Sequence, residues 1–143
     1  MIRLLAISDI PTSNCDEIWV IVRYPKHPIR NTVHVPELAP SDKLVGKYLN
    51  WRRQGKWGHD TFQNLYVPLF LKEIHDSPEA IQKLDEAWIK SKNGKTIGLA
   101  CYCDNEALCH RSIVGGLLAG TGCELHSDFE RNYSHYYNQY IQL

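Results

Sequence analysis

Apolar residues recur along this chain with two different periods. Ile2 to Ile7, Ile18 to Tyr24 and Thr96 to Tyr102 are short β-rich runs, and each predicts a strand. Ile18-Trp19-Val20-Ile21-Val22 is almost continuously apolar, as expected of a strand covered on both faces. Between the first two runs, Asp9, Pro11, Ser13, Asn14 and Asp16 mark a loop. Pro25 to Pro40 holds four prolines and predicts an irregular loop.

Helical spacing takes over downstream. Ser41 is a good N-cap for a helix through about Gln54, with Gly55 past its end. A second helix is predicted from about Thr61 to His75, with an apolar face of Phe62, Leu65, Tyr66, Leu69, Phe70 and Ile74. Pro68 inside it predicts a kink or a break. Ser77-Pro78-Glu79 opens a third helix, which Asn93-Gly94 stops. That helix feeds the strand from Thr96. A fourth helix begins near Ala107 to His110 and carries Ile113, Val114, Leu117 and Leu118 on one side. Gly120-Thr121-Gly122 is a turn, Cys123 to His126 a short strand, and the tail from Ser127 or Asp128 a helix. The tail carries Phe129, Tyr133, Tyr136, Tyr137 and Tyr140, tyrosines suited to packing or a dimer contact rather than to a cofactor. Strands alternating with helices predict one α/β domain over residues 1–143, a small, mostly parallel sheet flanked by helices.

The chemistry concentrates where the strand from Thr96 turns into the helix after it. In open α/β sheets that edge binds ligands, and the helix N-terminus favours an anion. Cys109, His110, Arg111 and Ser112 fall in or near the first helical turn. A thiolate there is stabilised by the helix end and by Arg111, the guanidinium forks onto a carboxylate or phosphate, and His110 moves a proton near neutral pH. The expected catalytic residues are therefore Cys109, His110 and Arg111. Arg23, Cys101, Cys103 and Ser112 are the expected substrate contacts. The competing expectation makes Cys109 a buried packing residue, pairs Arg111 with Glu106 and gives His110 a backbone carbonyl. The cysteine-phosphatase loop is excluded, because Cys103 is followed at the required arginine position by Cys109. Cys101, Cys103, Cys109 and His110 are four possible zinc ligands, but C-x-C-x5-C-H is not a common finger spacing. No metal and no cofactor is assigned.

The segment LACYCDNEALCHRSIVGGLL, Leu99 to Leu118, resembles the signature of a bacterial and phage family, domain of unknown function 488. Its members place an apolar strand with a cysteine and a short polar turn before Cys-His-Arg and an apolar helix. Here those positions are Cys101 or Cys103, then Cys109, His110 and Arg111. Ile18 to Tyr24 resembles the family's early strand, and Leu38-Ala39-Pro40-Ser41 its loop before a basic helix. Val22-Arg23-Tyr24-Pro25 stands where usual members carry an Asp-Val-Arg type motif, and the aspartate is missing. The resemblance implies a three-layer domain of Rossmann-like character and no established reaction.

Composition narrows the function classes. Among 143 residues, 16 basic side chains balance 16 acidic ones, so no global attraction to nucleic acid or an anionic membrane is expected. The local exception is Lys43 to Lys56, with Trp51 and Trp57 nearby, which keeps nucleic acid as a possible but unfavoured partner. Met1 to Ile7 is too short for a signal segment, and no run is long enough to cross a bilayer. Five cysteines without such a segment fit a reducing cytoplasm. The expected function is an enzyme acting on a small anionic, nucleotide-like substrate at the Cys-His-Arg turn. The alternative is a non-catalytic nucleotide or nucleic-acid binding module, and the oligomeric state is not legible.

Overall fold

The alternation of side chains along each strand decides which way this sheet faces. A computed structural model gives the fold and describes residues 1–127 and 131–143. Among these, the strands are β1 (Ile2–Ala6), β2 (Glu17–Val20), β3 (Val33–His34), β4 (Ile97–Cys101) and β5 (Leu125–His126). They form one all-parallel sheet in the order β3-β2-β4-β1-β5. β4 is buried throughout and pairs with β1, Ile2 opposite Ile97 to Ala6 opposite Cys101, and with β2 from Glu17 opposite Ile97. Ile2, Leu4, Trp19, Ile21, Ile97 and Leu99 point to one face and share a core with the helices, while Leu5, Ile18 and Ala100 point to the other. A 3-10 helix, Ile7–Thr12, covers that second face through Ile7 and Ile10. The result is a single small α/β domain in three layers.

The helices are α1 (Asp42–Arg53), α2 (His59–Thr61), α3 (Val67–His75), α4 (Pro78–Lys92), α5 (His110–Gly120) and α6 (His135–Tyr140). Ser41 and Ser77 cap α1 and α4, each side chain accepting from a backbone N–H three residues on at 3.1 Å. Ser41 is itself held by Glu73 of α3, whose carboxylate accepts its N–H at 2.9 Å and its hydroxyl proton. Trp51 and Trp57, the aromatics beside the basic helix, stack on each other at 6.2 Å rather than standing free. In α6, Tyr136 is buried and accepts a bond from Gln63 at 2.9 Å. No helix among the described residues is long and apolar enough to cross a membrane.

Four local features differ from expectation, each for a physical reason. β2 ends at Val20, although the Ile21 N–H still reaches the Ala100 carbonyl at 3.0 Å; the chain then leaves the sheet toward Pro25. The proline-rich loop contains strand β3 and a 3-10 turn, Pro36–Leu38, because Val33 and Val35 carry β-branched chains into the edge. The interruption expected at Pro68 takes the form of a change in helix type. A π-helical turn, Phe62–Tyr66, precedes the proline, and the Val67 N–H reaches back to the Phe62 carbonyl, so the widened turn absorbs the missing proline N–H. The tail helix begins at His135. Part of its expected start, with Phe129, lies outside the described residues.

Two predictions test this packing. A Cβ on Gly116 would lie 2.3 Å from the Tyr133 carbonyl oxygen, a backbone atom with no room to yield. G116A is expected to destabilise the protein by about 1–3 kcal/mol in urea denaturation, as overpacking does elsewhere. Glu17 bonds Lys90 at 2.8 Å, and that bond holds its carboxyl below its ordinary range. A carboxyl depressed in the folded state adds stability above its unfolded pKa and loses it as pH falls through the folded value. K90A should therefore cost up to about 1 kcal/mol at pH 7, because the pair is partly exposed. The difference from the parent should vanish under acid conditions where Glu17 is protonated in both states.

Candidate functional site

β4 aims Cys101 at the helical face. By alternation Cys101 falls on the side of Ile97 and Leu99, though at the strand end it clusters with Val20, Val22 and Cys109 rather than with the core those two join. Beyond the strand end the chain turns back on itself, stabilised by the Asn105 side chain, which accepts the Ala107 N–H at 3.1 Å. A 3-10 turn, Glu106–Leu108, then delivers Cys109 to the N-cap of α5 with extended backbone, φ −121° and ψ 143°. The fold thereby brings Cys103 back over the strand end, its Sγ 3.8 Å from that of Cys101. The three sulfurs of Cys101, Cys103 and Cys109 all lie within 4.8 Å of one another. Cys101 and Cys109 are buried and Cys103 is half-buried.

His110, the first residue of α5, is buried against the same sulfurs. Its Nε2 lies 2.6 Å from the Ile21 carbonyl. A carbonyl only accepts, so Nε2 carries the proton and Nδ1 faces the sulfurs, 3.8 Å from Cys109 and 4.0 Å from Cys101. Phe70 meets the ring edge-on at 5.6 Å between centroids. Cys103 and Cys109 donating toward Cys101 hold its thiol far below the ordinary thiol range, aided by the His110 charge. Sharing with Cys101 pushes Cys103 up, and burial pushes Cys109 up to about 12. Burial alone would lower the His110 pKa, but the Cys101 charge and the bond to Ile21 outweigh it and raise it. Of the three thiols Cys101 is thus the one most favoured to ionise, with the His110 ring beside it.

The remaining expected site residues occupy different positions. Arg111 is buried, with Nη1 donating to the Cys103 carbonyl at 2.8 Å and Nε making no bond. It braces the turn, and its charge lowers the Cys109 thiol against the stronger effect of burial. Glu106, named in the competing expectation as its partner, instead accepts bonds from Ser127 and, at 3.0 Å, from Tyr133. Ser112 is buried and donates to the Cys109 carbonyl at 2.8 Å. Arg23 donates from Nε to the Pro40 carbonyl at 2.8 Å.

A cavity of about 360 Å³ opens above the sulfurs. Cys101, Cys103, Cys109 and His110 form its floor, Tyr48, Trp57 and Tyr66 line it, and Arg23 and Lys26 lie at its wall. Trp57 is fixed by edge-on contacts to Tyr48 at 4.7 Å and Tyr66 at 5.6 Å. The Lys26 ammonium sits 4.8 Å from the centroid of the Tyr102 ring. Arg111 and Ser112 do not line this cavity, so the cations that do, Arg23 and Lys26, come from the loop after β2. Of the aromatic wall, only Trp57 stood in the sequence beside a basic stretch, Lys43 to Lys56 with Trp51 and Trp57, for which a packed surface helix was the favoured expectation; nothing local joins Tyr48 and Tyr66 to the thiols. A second cavity of about 310 Å³ between α4, α5 and α6 is lined by Ile81, Leu84, Trp88 and Tyr137 and holds no thiol or imidazole.

The architecture and this turn define a small parallel α/β domain with a cysteine–histidine cluster at the carboxyl edge of its central strand. A family model described as the active DUF488-N3 subclade matches residues 2–122, and the chain belongs to the DUF488 family. No curated protein and no solved structure matches the chain.

Arg111→Met removes the donor to the Cys103 carbonyl and the charge beside Cys109. It is expected to lower stability by about 1.5–3 kcal/mol, the range for hydrogen bonds to charged groups. It should also speed iodoacetamide labelling of Cys103 as the turn loosens, read by peptide mass spectrometry.

Proposed function

We propose that this protein is an enzyme that takes a small, planar, anionic molecule of nucleotide-like character into the cavity above the cysteines. The observation that carries the reading is the composition of that one cavity: aromatic walls, two cations and a floor of thiols with an imidazole. Its volume of about 360 Å³ suits a small ligand. Tyr48, Trp57 and Tyr66 offer stacking surfaces for a flat ring, and Arg23 and Lys26 offer charge to its anionic group. The reacting pair is His110 with a thiol that its Nδ1 faces, Cys101 or Cys109, an arrangement suited to nucleophilic catalysis. Arg111 acts by holding the turn that presents these sulfurs. The word active in the family description is consistent with a catalytic member. Five cysteines, all free, support a reading of this protein as one that works in a reducing cytoplasm.

One observation favours the second reading, a binding module without chemistry: Cys101 and Cys109 are 4 and 1 % exposed, which limits attack on a bound molecule. Quenching of tryptophan fluorescence by nucleoside phosphates tests binding. Saturable quenching is expected, weakened roughly five- to tenfold in K26A for the loss of one charge contact. Turnover separates the two readings. An enzyme loses activity in C101S or C109S while binding persists; binding without turnover of any nucleoside phosphate leaves the module, and no saturable binding removes both.

A further inference from the structure

We propose that Cys101, Cys103, Cys109 and His110 bind one zinc ion at the floor of the cavity. This goes beyond the reading above, because the ion uses the same lone pairs as the metal-free thiol chemistry and silences it. Three thiols meeting within 4.8 Å is the starting point. A tetrahedral ion with Zn–S bonds near 2.3 Å needs sulfurs about 3.8 Å apart. Cys101 and Cys103 already stand 3.8 Å apart. Cys109 closes the triangle with a movement of about 1 Å at most, less than one rotamer change supplies.

The histidine is oriented as a fourth ligand. A metal-bound imidazole donates its other ring N–H to a carbonyl or carboxylate, which fixes tautomer and direction. His110 does this through Nε2 and the Ile21 carbonyl at 2.6 Å, leaving Nδ1 toward Cys109 at 3.8 Å and Cys101 at 4.0 Å. An ideal tetrahedron asks for a sulfur-to-nitrogen separation of about 3.6 Å. Charge also balances. Each cysteine coordinates as thiolate and passes its proton to solvent, so the ion with three thiolates and a neutral imidazole carries one negative charge. Arg111 lies buried beside it with a positive charge and a free Nε, and its Nη1 already holds the Cys103 carbonyl. Thiolate and imidazole donors select zinc over magnesium or calcium. The C-x-C-x5-C-H spacing reaches this geometry because the turn after β4 folds Cys103 back, a path that regular finger spacings do not take.

The test is titration of the reduced, metal-free protein with Co2+ as a spectroscopic stand-in, followed by Zn2+. Expected are a sulfur-to-cobalt charge-transfer band and intense tetrahedral d–d bands that saturate at one equivalent and bleach on adding one equivalent of Zn2+. C103S removes the half-buried sulfur and spares the core. With native circular dichroism it should lose part of the charge-transfer band and bind Zn2+ at least about tenfold more weakly. Weak octahedral cobalt spectra, or unchanged zinc affinity in a folded C103S, overturn the site. Nucleoside-phosphate quenching of the metal-free protein is read separately, so either proposal fails without the other.

Discussion

The hydrogen bond from His110 Nε2 to the Ile21 carbonyl is the contact on which this site depends. It ties the first residue of α5 to the carbonyl just past β2, the strand that pairs with β4 in the sheet. A buried imidazole left without that acceptor would pay a desolvation cost of about 1–3 kcal/mol. With it, the ring has one tautomer and one direction. Nδ1 is turned to the sulfurs of Cys101 and Cys109. The same bond sets how closely the turn carrying Cys103 and Cys109 approaches the strand end.

Around that contact the rest of the fold acts as a frame. β1 and β2 flank β4 in parallel register and hold its last residue, Cys101, at the carboxyl edge. Phe70 of α3 closes on the His110 ring, and from Phe70 a continuous run of rings leads through Tyr66 to Trp57 at the wall of the cavity. The π-helical turn before Pro68 carries Phe62 and Tyr66 into that run. Floor and wall are thus one packed unit, so a molecule that displaces Trp57 also presses on the imidazole. At the far end of α5, Gly116 lets the Tyr133 backbone approach, and Glu106 binds Ser127 and Tyr133, so the tail closes on the helix that bears the site.

Local patterns made much of this legible. Ser41 and Ser77 marked helix starts because a hydroxyl cap acts on a backbone group only three residues away. The apolar run at Ile97 to Cys101 marked the buried strand, and the position of Cys109 to Ser112 at the start of α5 followed from helical spacing. What stayed hidden depends on residues distant in sequence. Ile21 is 89 positions from His110, and nothing near His110 announces that carbonyl. Arg111 carries the right charge for an anion, yet its guanidinium turns to the Cys103 carbonyl because the turn leaves that oxygen without a strand partner. The apolar run predicts a strand to Tyr102, whereas β4 stops at Cys101 and the turn brings the Cys103 sulfur back beside it.

The most direct measurement is a long-range 15N–1H correlation spectrum of the histidine rings, followed with pH. Expected for His110 is a proton on Nε2 throughout, exchanging slowly with water, and a shift at Nδ1 that responds when the cysteines are alkylated. A proton on Nδ1 in the neutral ring, or an Nε2 proton exchanging as fast as that of an exposed histidine, would contradict the bond to Ile21 and the orientation of the imidazole toward the sulfurs.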